Sequence, residues 1–238
     1  MTTTNYPVEV CFTAALFDYY KDDDATVIIV DILRATSSIC TAFMHGANKI
    51  IPVSSDDMAR EYKRRGYMVA AEQDGTKLDF ADFGNSPQNF SGHLVKDKEI
   101  VYSTTNGTKI IQKAVGAKQI LIGSFLNLQA MAQRLCEHPS KVLIFCAGWK
   151  NKFNLEDALY AGALTQLLLE NPLFSCDCDS AKAAVDLWEK AAGDLHSYTR
   201  KIAWIKRIKQ PDVLDYCFTP NVTSIIPVYD KGAIIAYK

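Results

Sequence analysis

What this sequence lacks narrows it first. No stretch approaches the roughly 18–20 consecutive apolar residues of a membrane-spanning helix, so no membrane partner is expected. Neither charge is in excess: 26 Lys and Arg stand against 27 Asp and Glu, which leaves no basic field for a nucleic-acid backbone. The first residues, Met1 to Pro7, carry neither the basic start nor the apolar run of a secretory signal, and the expected location is cytoplasmic. A disulfide framework is also absent. The seven cysteines are odd in number and scattered, as expected of reduced, mostly buried thiols. The one close pair, Cys176-Asp177-Cys178, has no second pair or nearby histidine to complete a tetrahedral metal site. Internal repeats, low-complexity tracts and a clear linker are missing as well.

What is present is an alternation of short apolar runs and helical patterns. Strands are expected at Val27–Val30, Lys49–Val53, Tyr67–Ala71, Ile100–Ser103, Gln119–Ile122 and Val142–Cys146. Helices are expected from Ser38 to Met44, from Asp56 to Arg65, and near 107–115 and 126–137. Continuous apolar strands between amphipathic helices predict an α/β fold with a mostly parallel or mixed sheet covered on both faces. After Gly148 the pattern changes to a long apolar helix, Leu155–Leu169, ended by Asn171-Pro172. Further helical patterns run to about Tyr216, before closing strands at Ser224–Val228 and Ala233–Tyr237. The expectation is a single domain over residues 1–238, with room for a sub-lobe, and so two α/β lobes, from about residue 149. Arg200, Lys201, Lys206, Arg207 and Lys209 follow one another with no acid between. Ile202, Ile205 and Ile208 recur among them at helical spacing, which reads as a solvated basic face or an anion-binding one.

The polar residues gather where the expected strands end, the edge at which open α/β sheets bind ligands. Val30-Asp31-Ile32-Leu33-Arg34 delivers a carboxylate and a guanidinium into a loop, and Thr36, Ser37 and Ser38 open the next helix. Helix-opening hydroxyls and free N–H groups suit a phosphate, and arginine can clamp its oxygens; an N-cap with an Asp31–Arg34 ion pair is the alternative. Gly84-Asn85-Ser86-Pro87, preceded by Asp82 and Glu72, reads as a helix start with Ser86 as N-cap and Pro87 in the first turn. Ser103-Thr104-Thr105-Asn106-Gly107-Thr108 follows a strand with an unusual density of donors, and Asn106-Gly107 tolerates left-handed backbone geometry. Cys146-Ala147-Gly148 precedes Glu156-Asp157, adjacent carboxylates that either serve the helix dipole or hold a hard cation through oxygen.

Several designs for phosphoryl chemistry fail on inspection. Leu33 stands where an Asp-x-Asp motif needs its second aspartate, no cysteine has arginine six positions later, and no Arg-His-Gly or Gly-x4-Gly-Lys-[Ser/Thr] occurs. None of the four histidines falls in these clusters. Phosphoryl transfer here must therefore use carboxylates, a metal and hydroxyl-rich loops.

Taken together and in order, the clusters resemble the 2-phosphosulfolactate phosphatase (ComB) family. The segments that carry the resemblance are Val30–Ser37, Gly84–Pro87, Ser103–Thr108, Gly123-Ser-Phe-Leu-Asn127, Cys146–Gly148 and Glu156-Asp157, with Gly162, Cys217 and Pro227, over roughly residues 7 to 237. The resemblance implies a magnesium-dependent hydrolase that releases phosphate from 2-phospho-3-sulfolactate on the route to coenzyme M, acting on a small phosphorylated anion and compatible with a homodimer. It implies Asp31, Arg34, Glu72 and Asp82 as catalytic groups and Glu156 and Asp157 as magnesium ligands. Thr36, Ser37, Asn85, Ser86, Thr104, Thr105, Asn106, Gly107 and Thr108 are the implied substrate-binding groups. The chain departs from the family's pattern at Gln73, where the family has arginine, and at Asn221, where it has aspartate. With no histidine paired to a hydroxyl, attack by metal-bound water is expected rather than a Ser or Thr nucleophile.

Overall fold

The computed structural model describes residues 5–90, 92–104, 106–200 and 211–237. Its strands are β1 (Tyr6–Cys11), β2 (Thr26–Val30), β3 (Lys49–Pro52), β4 (Met68–Gln73), β5 (Thr76–Lys77), β6 (Glu99–Ser103), β7 (Gln119–Gly123), β8 (Val142–Cys146), β9 (Phe174–Ser175), β10 (Ile226–Asp230) and β11 (Ala233–Tyr237). The α-helices are α1 (Ala35–Met44), α2 (Asp56–Arg64), α3 (Gly92–Val95), α4 (Gly107–Lys113), α5 (Leu128–Glu137), α6 (Leu155–Leu169), α7 (Asp179–Ala191), α8 (Leu195–Thr199) and α9 (Pro211–Cys217). None of them is long and apolar enough to cross a membrane. The fold is α/β, as expected. Beyond the expected strands it contains β1, whose Val8, Val10 and Cys11 are fully buried beside β8, and the short edge strands β5 and β9.

Central strands are buried on both faces because their side chains alternate between two helix layers. Ile28, Val30 and Ile144 point to one side, against Leu159 and Leu164 of α6 and Ala184 of α7. Val27, Ile29 and Phe145 point to the other, against Ile39 and Phe43 of α1 and Ile110 and Ile111 of α4. The outer helix α2 shows ordinary surface logic: Ser55 caps it by accepting from Met58 N, Asp56 and Asp57 sit in its first turn, and Lys63 and Arg64 in its last.

The sheet order is β5-β4-β6-β3-β11-β10-β7-β2-β8-β1-β9. Strands β4, β6 and β3 are mutually parallel, and so are β7, β2, β8, β1 and β9. Between these groups stands the β10–β11 hairpin, antiparallel to itself, to β7 and to β3. Three antiparallel steps give the two groups opposite sense, so in a flat sheet their carboxyl ends would lie on opposite edges. Instead Ile100 and Tyr102 of β6 share a core with Ile29 of β2 and Phe145 of β8, and residues following β2, β4, β6 and β8 line one cavity. The sheet therefore twists and folds over on itself around the hairpin.

Helix α6 is apolar around most of its circumference because it lies between the sheet and α7. Contact with α7 depends on Gly162: a Cβ there would sit 2.0 Å from the Ala184 carbonyl oxygen and 2.8 Å from Trp188 Cβ. In a helix, Gly→Ala ordinarily gains about 1 kcal/mol. Here a backbone clash outweighs that, and overpacking of this kind costs about 1–3 kcal/mol or more. Gly162→Ala is expected to lower the melting temperature by several degrees, at about 2–4 °C per kcal/mol; an unchanged or raised value in calorimetry would show that α7 is free to move.

Candidate functional site

Five loops build one cavity. The β2–α1 loop contributes Asp31, Leu33 and Arg34; the β4–β5 hairpin contributes Glu72 and Gly75; Asn85, Asn106 and the β8–α6 segment (Gly148, Trp149, Asn154) complete the wall. Water-sized space inside it is only about 20 Å³, little more than one water needs. A wider space of about 430 Å³ adjoins it, and Asn106 lines both.

Turn chemistry sets this geometry. Gln73 pairs with Thr76 across Asp74-Gly75, both at positive φ (50° and 86°), a two-residue hairpin turn of the primed kind. Glu72 accepts from Gly75 N at 2.6 Å, while Gly75 O accepts from Arg34 Nη2 at 3.2 Å. Across the mouth, Trp149 and Lys152 exchange two 2.9 Å backbone bonds around Lys150-Asn151, also both left-handed. Lys150 Nζ reaches Asp74 Oδ1 at 3.3 Å, joining the two turn tips. Gly148 is required here: its φ is +61°, and a Cβ would lie 2.3 Å from the Lys152 carbonyl oxygen.

Four carboxylates converge behind this mouth. Asp31 Oδ1 accepts from Ala35 N at 3.3 Å. Burial, countered in part by that N–H and by Arg34 and reinforced by the Glu72 charge, pushes the Asp31 carboxyl up to about 6. Glu156 is 1% exposed; burial and the Asp31 charge push it up to about 7, against its own backbone N–H. Asp157 is held well above the usual range by burial and then by the charges of Glu156 and Asp31. Asp157 also ties two loops together, accepting from Ile32 N at 2.9 Å and Gly148 N at 3.2 Å.

The sequence-expected residues separate into groups. Asp31, Arg34, Glu72, Asn85 and Asn106 face the cavity. Glu156 and Asp157, expected as metal ligands, lie behind it; both Asp157 oxygens already serve backbone N–H groups. Asp82 turns away, accepting from Val69 N at 2.7 Å and pairing with Lys63. Four of the hydroxyls expected to bind substrate are engaged locally. Thr36 donates to Asp31 O, Ser37 to Ile32 O with Ser124 beside it, and Thr108 to Thr104 O, while Thr104 Oγ1 accepts from Thr108 N. Ser86 precedes a 3₁₀ turn at Pro87–Asn89 but its side chain caps nothing; Ser86 Oγ and Asn85 Oδ1 are buried without a partner. Gly107 serves close approach rather than left-handed geometry, since Asn106 has φ −123° and a Cβ at 107 would sit 2.5 Å from Ala35 Cβ and 3.1 Å from Asp31 Oδ2. Arg34 donates to Gly75 O rather than closing a simple pair with Asp31. Thr105, Lys201, Lys206, Arg207 and Lys209 lie outside the described residues.

Two site residues were not expected. Tyr102, near the end of β6, has a buried hydroxyl beside Ser38, pushed far up by burial and then by the charges of Asp31 and Glu72; its place in an apolar strand masked it. Gly75 is signalled in the sequence by Asp74-Gly75, a dipeptide suited to a hairpin turn.

The donor set is all oxygen, the chemistry of a hard cation. Among the described residues no three His, Cys, Asp or Glu stand together as a metal-holding group. Asp31 and Glu72 are the two carboxylates that face the cavity.

The sequence model of the 2-phosphosulpholactate phosphatase family matches residues 11–232. Proteins named "Probable 2-phosphosulfolactate phosphatase" are similar to this chain across nearly their whole lengths. The one from Thermotoga maritima is 33% identical over 213 residues, 88% of this chain and 91% of its own. That from Clostridium novyi is 31% identical over 228 residues, covering 93% and 96%. That from Caldanaerobacter subterraneus is 30% identical over 218 residues, covering 89% and 90%.

Carboxyls that titrate near 6 and 7 when folded, against 3.8 and 4.5 ordinarily, retain protons that the unfolded chain has already released. More protons bound in the folded state means that their contribution to stability falls as pH rises from about 4 to about 7. In chelator, the melting temperature is expected to be less favourable at pH 8 than at pH 5, and Glu156→Gln is expected to narrow that difference. A pH dependence identical in the wild type and the variant would place Glu156 outside this charge cluster.

Proposed function

Since the chain belongs to the 2-phosphosulfolactate phosphatase family, we propose that it is a phosphoric monoester hydrolase that releases phosphate from 2-phosphosulfolactate, with magnesium, in a cytoplasmic step of coenzyme M formation. The observation that carries the proposal is the narrow cavity in which Asp31, Glu72 and Arg34 meet. Asp31 and Glu72 would hold the cation, which when bound neutralises charge on the phosphoryl oxygens and acidifies a water. Arg34 keeps guanidinium donors beyond the one given to Gly75 and orients the phosphate. Asn85 Oδ1 offers an acceptor with no competing partner.

Asp31, which faces the cavity beside Arg34, would take the proton of the attacking water. Water is preferred to a hydroxyl nucleophile because Thr36, Ser37, Ser38 and Thr108 all donate to backbone carbonyls. Phosphate release from 2-phosphosulfolactate is expected with magnesium and not with chelator, and Asp31→Asn is expected to lower kcat by about 10²–10⁴-fold. Full activity in Asp31→Asn, or a trapped phosphoenzyme on the normal route, would overturn the mechanism; turnover confined to other phosphorylated acids would overturn the substrate.

A further inference from the structure

The wider space beside the slot has a different electrical character. The slot is walled or backed by Asp31, Glu72, Glu156 and Asp157 against one guanidinium, Arg34. The wider space is lined by Lys109, Lys150, Gln73, Asn106 and Asn151 and by the apolar Ala14, Ile110 and Ala147, with Asp74 its one carboxylate. Lys109 makes no ion pair among the described residues, and Lys150 pairs with Asp74 through exposed side chains. A substrate that carries a second acidic group cannot lodge that group among four carboxylates.

We propose that this wider space is the subsite for a second strongly acidic group, a sulfonate or carboxylate, of a phosphorylated substrate, with Lys109 and Lys150 as its cations and Gln73 and Asn151 as neutral donors. The inference rests on the phosphatase reading for which group sits in the slot, but not for the recognition itself. Lysine suits a half-solvated anion, being a compact charge on a flexible stem that needs no fixed fork geometry. Asp74 competes with the ligand. Lys150 leaves it at 3.3–3.4 Å in the free protein and takes the incoming anion in its place. The turn that carries Lys150 is fixed at both ends by the Trp149–Lys152 backbone bonds, so its side chain can exchange partners while the backbone stays put.

The test measures kcat and KM for 2-phosphosulfolactate and for phenyl phosphate, which lacks a second acid, at several salt concentrations. Lys109→Ala with Lys150→Ala is expected to lower the preference for 2-phosphosulfolactate by at least about 10-fold, carried by KM and with a flattened salt dependence. Asp74→Asn, which keeps the turn and removes the competitor, is expected to lower KM about twofold. A preference and salt slope unchanged in the double variant, or a KM raised by Asp74→Asn, would overturn the subsite. Calorimetric binding of sulfolactate, the dephosphorylated acid, separates this from the phosphatase reading. Binding that is lost in the double variant, in a protein that turns over no phosphate ester, keeps the subsite and removes the activity. Binding that survives the double variant, or none in the wild type, removes the subsite.

Discussion

Four carboxylates held in one enclosed place, with a single guanidinium to answer them, is the constraint on which the rest of the site depends. Removing an ionised carboxylate from water costs several kcal/mol, roughly, unless partners repay it. The protein answers mainly with backbone N–H groups. Ala35 serves Asp31, Gly75 serves Glu72, and Ile32 and Gly148 serve Asp157. Each of these donors belongs to a loop, or for Ala35 to the helix start that ends one, that must then take a defined path. That explains why the region depends on residues with special backbone freedom or no side chain: Gly75 and Gly148 at positive φ, and Gly107 where two loops touch. The hydroxyls follow the same logic. Thr36, Ser37 and Thr108 brace those paths by donating to carbonyls within a few residues, and so are unavailable to a ligand.

Much of this was legible in the sequence where one local rule decided the outcome. Val142–Cys146 and Leu155–Leu169 appear as expected because an unbroken apolar run leaves little alternative to burial on all sides. The loops after β2, β6 and β8 were visible as polar clusters closing apolar strands. The roles within the clusters were less legible, because a side chain's direction depends on distant partners. Asp82 looks like Asp31 in a string of letters, yet it is claimed by Val69 N and Lys63. Glu156 and Asp157 read as adjacent carboxylates serving the helix dipole or a hard cation, and the β2 loop packs over them. Tyr102 reads as one more strand aromatic. Lys150-Asn151 turns as tightly as Asp74-Gly75 without glycine, so the sequence carries little sign of it.

The two turn tips and the folded-over sheet address one problem at different scales. Carboxyl ends of strands running in opposite senses must reach a common point, and local turns must then close a small volume around it. The β10–β11 hairpin sits at the first, where three antiparallel steps separate β3 from β7 and the sheet folds over. The Lys150–Asp74 pair does the second, spanning tips that belong to the two parallel groups.

That hairpin also orders the assembly of the molecule in time. Ile234 pairs with Ile50 and Val228 with Leu121, residues far apart in the sequence. On a ribosome, where synthesis proceeds at about 5–20 residues per second, both parallel groups have emerged before the strands that join them. Until residues 226–237 arrive, β3 and β7 each present an open edge, the surface on which neighbouring chains add strands. The interval before closure is therefore the moment at which a nascent chain most needs a chaperone or dilute surroundings, and a stall late in translation would leave both edges open.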